Sequence, residues 1–251
     1  MSRLPAKTGL EWLKQGFALF RKQPGILAMV VLCNFLIAIM ISAVPVLGKI
    51  LPLVFIPSFT MAIQQACLLI DEGTRVTPAV LVTGFHKDAI GRLCKLGVVY
   101  FAILVALVLA VSPWIDMESV RNAAKMMEAN KEPTINDGTK YAVMAFMFLG
   151  AVAMLALSFA PGVTYWKRMP VFKAIFYSVM AVFGAARALM LMLLSLLGMY
   201  WVTLMIVGLI FGRSQVVFIV LAWLNLIVAL VFQCAIYAAY KQILGTPETP
   251  T

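Results

Sequence analysis

The residues with the most obvious chemical capacity are few. His86 stands beside Lys87 and Asp88, and a histidine next to a carboxylate is the smallest unit that can pass a proton near neutral pH. It is the sole histidine of the chain. No nucleophile elbow, phosphate loop, zinc-protease helix or dinucleotide fingerprint accompanies it, so His86 reads as an exposed residue at a membrane interface. Cys33, Cys67, Cys94 and Cys234 form no C-x-x-C pair and fall in or at the edge of apolar runs, where free cysteine packs as a small hydrophobe. The expectation is a protein that is not an enzyme and uses no metal and no cofactor.

A second set is polar by type and apolar by neighbourhood: Asn34, Thr60, Gln64, Gln65, Asn225 and Gln233. Amides and hydroxyls in hydrocarbon must face other helices and hydrogen-bond across them, at roughly 0.6 to 2 kcal/mol each. As an intramembrane polar cluster they read first as packing contacts and second as a binding site. Thr60 and Gln64 share a helix face at i, i+4. The apolar runs contain no Asp or Glu, which disfavours proton-coupled transport.

The elements that position these residues follow from composition. With 63% hydrophobic residues in 251 and a mean hydropathy of +1.00, the chain has far more apolar surface than one soluble core can hide. It reads as an integral membrane protein. Apolar runs of a length that crosses ~30 Å of hydrocarbon occur at 25–44, 53–70, about 96–111, 141–160, 188–211 and 215–240. No alternating ten-residue pattern suggests a barrel, so the spans must be helices that satisfy their own backbones. The fold class is all-α, with six transmembrane helices in three hairpins.

Lysine and arginine orient the bundle. With the N-terminus inside, fourteen of the twenty lie on the cytoplasmic side and six outside, in line with the positive-inside rule. Both termini are then cytoplasmic, and residues 112–140 form an external loop. Within that loop Asp116 caps a short helix to about Ala129, with Met117, Val120, Ala124 and Met127 along one stripe.

Each hairpin is preceded by an aromatic and basic segment that suits a helix lying in the headgroup plane. In the first, Thr8 and Glu11 have the form of a capping box, and Leu10, Leu13, Phe17 and Phe20 recur on one face, with Trp12 as an interfacial anchor. The second runs from Pro78 to Arg92, opened by a Thr77 cap, and the third from Pro170 to Arg187. Units of about 8–70, 77–161 and 170–241 thus tile one membrane domain as a repeat, and 242–251 is a flexible cytoplasmic tail. Pro52 and Pro57 predict a kink or break near Phe55 to Pro57, read as a simple bend. Ala62 and Ala66, and Ala102, Ala106 and Ala110, give flat faces assigned to internal packing.

The opening W-L-x-x-G-F-x-L-F-R-K-Q-P-G, the Pro57-Ser58-Phe59-Thr60 stretch and the ending Ala235-Ile236-Tyr237-Ala238-Ala239-Tyr240 resemble an uncharacterised family of proteobacterial six-span inner-membrane proteins, built of repeated amphipathic-helix and transmembrane-hairpin units. The resemblance covers the whole chain by pattern. It implies a bacterial inner membrane and a multi-pass fold, and it carries over no functional residues.

The functional expectation is a non-enzymatic inner-membrane interaction, assembly or lipid-associated protein. The alternative is a carrier or channel for a small or amphipathic molecule, which needs a polar cavity among the spans. Basic residues interleaved with aromatics beside spans suit anionic lipid better than nucleic acid. Lys14, Arg21, Lys22, Lys87, Arg92, Lys167, Arg168 and Lys173 are the expected headgroup contacts. A membrane-protein partner or a second copy of the chain completes the expected set of partners.

Overall fold

The computed structural model describes residues 5–45, 47–128, 136–212 and 215–247. Among these residues the chain is all-helical, without a strand. Its helices are α1 (Thr8–Lys22), α2 (Pro24–Ser42), α3 (Leu51–Val54), α4 (Ile56–Asp71), α5 (Lys87–Val111), α6 (Met117–Glu128), α7 (Asp137–Ala156), α8 (Ala160–Trp166), α9 (Val171–Gly184), α10 (Ala186–Phe211) and α11 (Gln215–Leu244). Short 3-10 helices cover Pro78–Phe85 and Ser112–Trp114.

Among the described residues five stretches are long and apolar enough to cross a membrane: Pro24–Ser42, Ala89–Trp114, Asp137–Trp166, Ala186–Phe211 and Ile219–Leu244. The sixth expected span, 53–70, takes another form. It is broken at Phe55 into α3 and the 16-residue α4. Pro57 has no N–H to offer the Leu53 carbonyl, so the helical ladder loses a rung there. A second break, absent from the sequence reading, separates α7 from α8 at Leu157 to Phe159, just before Pro161.

The sequence reading of α1 is corrected in two respects. Thr8 does not cap it: the helix has already begun there, with the Thr8 N–H bonded to the Pro5 carbonyl at 3.1 Å and no side-chain cap at Lys7. The buried face is also a different one. Thr8, Gly9, Trp12, Leu13, Gly16 and Leu19 are buried, whereas Leu10 and Phe17 are 38% and 44% exposed. Trp12 is fully enclosed, not an interfacial anchor. α1 lies against α10 and α11 so closely that a Cβ on Gly9 would stand 1.9 Å from the Ala188 carbonyl oxygen, and one on Gly16 2.6 Å from the Ala235 nitrogen. Backbone approach of this kind is open only to glycine.

The second interfacial segment is corrected as well. Residues 78–85 form a 3-10 helix with Val80, Thr83 and Gly84 turned inward, and His86 is extended before α5 begins at Lys87. Lys87, Arg92 and Lys95 therefore ride on the first turns of the long helix. α9 retains the expected character, with Phe172, Phe176 and Phe183 more than 60% exposed. The segment before α5 is thus a 3-10 helix and the one before α10 an α-helix.

At the opposite end the loop helix α6 is capped as the sequence predicts, Asp116 accepting from the Glu118 N–H at 3.0 Å. The expected loop residues 129–135 lie outside the described residues. The core sits where α4, α8 and α11 meet beneath α1. Phe159, Trp166, Tyr237 and Tyr240 pack there, with the Trp166 and Tyr240 ring centres 4.9 Å apart. Outer faces are the reverse of a soluble protein: Met40, Phe35, Met147, Phe148, Met205 and Leu209 are 62% exposed or more. Contiguous apolar surface on this scale needs a hydrocarbon solvent. Ala62 and Ala66 pack internally, but Ala102, Ala106 and Ala110 face outward, which corrects their assignment to internal packing.

Candidate functional site

Two features of the bundle carry chemistry: a cavity at the helix breaks and a basic end. At the second break the freed backbone is met by side chains. Ser178 of α9 donates to the Ala156 carbonyl at 2.7 Å and accepts from the Phe159 N–H at 3.2 Å, and the Tyr100 hydroxyl donates to the Leu157 carbonyl at 2.8 Å. An irregular backbone inside a membrane persists only when its polar groups are met in this way.

Both breaks border one cavity of about 520 Å³. Ile56 and Thr60 reach it from just beyond the first break, and Leu155, Ser158 and Pro161 from the second. Its remaining walls come from α5, α7, α10 and α11, and they are mainly apolar. Gln233 is the amide that faces it. The Ser158 hydroxyl is buried and has no partner.

The predicted polar cluster divides. Asn34 donates to the Phe59 carbonyl at 3.2 Å, and Thr60 bonds back to the Ile56 carbonyl at 2.9 Å. Gln65 accepts from the Trp166 indole N–H at 3.0 Å. Gln64 is buried with both side-chain polar atoms unpartnered. Thr60 and Gln233 share the cavity, whereas Asn225 is exposed on α11, donating to the Leu221 carbonyl at 2.8 Å and accepting from the Tyr200 hydroxyl at 3.4 Å. Asn34, Gln64 and Asn225 do not line one common cavity.

The basic residues gather at the end of the bundle formed by α1, the start of α5, the loop before α9 and the end of α11. The Arg92 guanidinium donates to the Arg168 carbonyl at 3.0 Å, and the Lys167 ammonium to the Leu244 carbonyl at 2.7 Å. Lys22 borders a polar pocket with Glu11, Asp71, Tyr237 and Lys241. Within it Asp71 accepts from Lys241 at 2.7 Å and from the Tyr237 hydroxyl at 3.1 Å. Lys14 lies at an apolar groove between α1, α10 and α11. Arg21, Lys87 and Lys173 are exposed at the same end. Among the described residues the only ion pairs are Lys241–Asp71 and Lys140–Asp137, so none of the eight predicted headgroup contacts has a described carboxylate partner. Lys95, absent from the sequence-derived set, stands with Arg92 and Arg168 around a further cavity. Its signal was present in the sequence as the position three residues beyond Arg92 on the same helix face.

His86 is exposed; its carbonyl accepts from the Ala89 and Ile90 N–H groups at 2.9 Å, and its imidazole makes no described bond. Cys67 and Cys234 meet inside the core with their sulfurs 3.2 Å apart, a pairing that a separation of 167 positions conceals. Among the described residues no group of three His, Cys, Asp or Glu could hold a metal ion.

Helices of this length and outer polarity define an all-α integral membrane protein. Over 260 aligned residues the chain is 30% identical to a protein of Burkholderia thailandensis named as a probable inner membrane protein, covering 97% of this chain and 93% of that one. The chain belongs to the same family of proteobacterial inner-membrane proteins as that relative. No family model and no solved structure matches it.

Proposed function

We propose that this is a non-enzymatic, lipid-associated protein of the inner membrane whose basic end holds anionic headgroups. The observation that carries the reading is the set of cations gathered at one end without described carboxylate partners. A positive rim of this kind is attracted to an anionic leaflet by about 1 kcal/mol per Lys or Arg. In this reading α3 and α4 together complete a sixth crossing in three hairpins, and both termini are cytoplasmic, as the distribution of Lys and Arg supports. A membrane-protein partner or a second copy would meet the bundle on its outward faces. Neither a cofactor nor a nucleic acid has a role in it.

Native mass spectrometry tests this. Neutralising Arg21, Lys22, Lys167 and Arg168 together reduces the phosphatidylglycerol and cardiolipin that co-purify, with the fold intact by thermal unfolding. An unchanged lipid complement sinks the reading.

The cavity at the paired helix breaks favours a second reading, a carrier for an amphipathic molecule. Discontinuous helices that meet within a membrane are a recurring way to build a substrate site, and about 520 Å³ of mainly apolar space with Gln233 and Ser158 on its wall suits a guest with one polar group. A Gln233→Leu, Ser158→Ala double variant separates the two: it abolishes uptake of an amphipathic probe into proteoliposomes if the carrier reading holds, and leaves the lipid complement as it was.

A further inference from the structure

Around one cavity of about 600 Å³ the structure places Arg92 and Lys95 on the first turns of α5, Arg168 in the loop before α9, and Pro170, Val171 and Phe172 at the start of α9. Val98 and Val99 form its apolar flank. The cations are held in place by more than chance proximity. The Arg92 guanidinium is tethered to the Arg168 carbonyl at 3.0 Å, while its Nε is buried and has no partner. Arg168 itself has φ +49°, a left-handed conformation rare for a long side chain and sustained only where the surroundings over-determine it. No side chain caps the 14-residue α9, which leaves its first N–H groups without a side-chain partner beside the cavity that Pro170, Val171 and Phe172 line. Val98 and Phe172 are 55% and 82% exposed, an apolar surface directly beside three cations.

We infer that this cavity is a discrete site for one anionic phospholipid, its phosphate seated among Arg92, Lys95, Arg168 and the N-terminus of α9, and an acyl chain lying along Val98, Val99 and Phe172. The inference rests on the proposed lipid association and sharpens it from a diffuse rim to a single place. Two features commit the occupant to a lipid: the cations supply the charge complement of a phosphodiester, and the exposed valine and phenylalanine supply a surface that free phosphate does not use.

The test is lipid titration of the full-length protein in detergent micelles, read by native mass spectrometry, with phosphatidylglycerol, phosphatidylcholine or inorganic phosphate added. The wild-type protein retains one phosphatidylglycerol more tightly than the rest, and neither phosphatidylcholine nor millimolar phosphate displaces it. An R92Q/K95Q/R168Q variant loses that molecule. The exposed Lys95 alone, as Lys95→Gln, weakens it about fivefold, the worth of one surface cation, in a variant whose fold is not in question. The K14Q/R21Q/K22Q variant at the other side of the rim retains it. Equal loss from both triple variants overturns the discrete site and leaves the lipid reading standing; loss from neither overturns both. Displacement by inorganic phosphate shows a free-anion site and overturns the lipid occupant.

Discussion

Trp12, fully buried in the first helix, donates its indole N–H to the side-chain carbonyl of Gln242 in the last turn of the last helix. The contact spans 230 positions and turns α1 from a membrane-surface helix into a clasp across the basic end. Trp12→Phe keeps most of the packing and costs about 1 kcal/mol for the lost hydrogen bond. Trp12→Ala costs about 3–5 kcal/mol. Both values are checked by unfolding in a rising fraction of sodium dodecyl sulfate. Unfolding of Trp12→Ala at the wild-type point would show that α1 is not locked to the bundle.

The seam beneath Trp12 allows a sharper comparison between two glycines. A Cβ on Gly16 collides with the Ala235 backbone, while one on Gly25 meets nothing within 4 Å. Gly16→Val therefore separates α1 from α11, and protease cleavage between α1 and α2 rises. Gly25→Val leaves the cleavage pattern unchanged.

Cys67 and Cys234 test the central packing of α4 on α11. Copper phenanthroline, as the electron acceptor, takes two electrons from the pair as the two thiols lose their protons and join. The disulfide is read as a joined peptide by mass spectrometry, and Cys67→Ser abolishes it. Cys33 and Cys94 remain free. Recovery of both core thiols unmodified would mean that the two helices are further apart.

At the second helix break, Ser178→Ala strands the Phe159 N–H and removes the hydroxyl donor to the Ala156 carbonyl, whereas Tyr100→Phe removes one of two donors to the Leu157 carbonyl, which still accepts from the Ala160 N–H at 3.0 Å. Unpaired groups in a buried setting cost about 1–3 kcal/mol each, so Ser178→Ala lowers the unfolding midpoint further than Tyr100→Phe. The reverse order would show that the break is held by other contacts.

Orientation is read with an impermeant maleimide on spheroplasts of a cysteine-free version. A cysteine at Lys125, exposed in α6, labels in intact cells. One at Thr246 labels only after lysis. Equal labelling would defeat the assignment of both termini to the cytoplasm.

The chain alone determined that this is an all-helical membrane protein, where five of its six expected spans run, that Asp116 caps the loop helix and that the backbone fails between Phe55 and Pro57. Each of these is local: hydrocarbon length, a cap two residues from the N–H it meets, and a missing proline donor act over short stretches of chain and leave a trace in spacing. The partners of the polar and basic residues were not legible in that way. Trp12 looked like an interfacial anchor beside a stripe of Leu10, Leu13, Phe17 and Phe20, because one helix period serves lipid and protein neighbours equally well in an apolar chain. The pairing of Cys67 with Cys234, the meeting of the two helix breaks at one cavity, and the placing of Arg92, Lys95 and Arg168 around another were decided only by tertiary packing. Helices far apart in sequence set those distances, through backbone approaches at glycine and hydrogen bonds to freed carbonyls that no periodicity encodes.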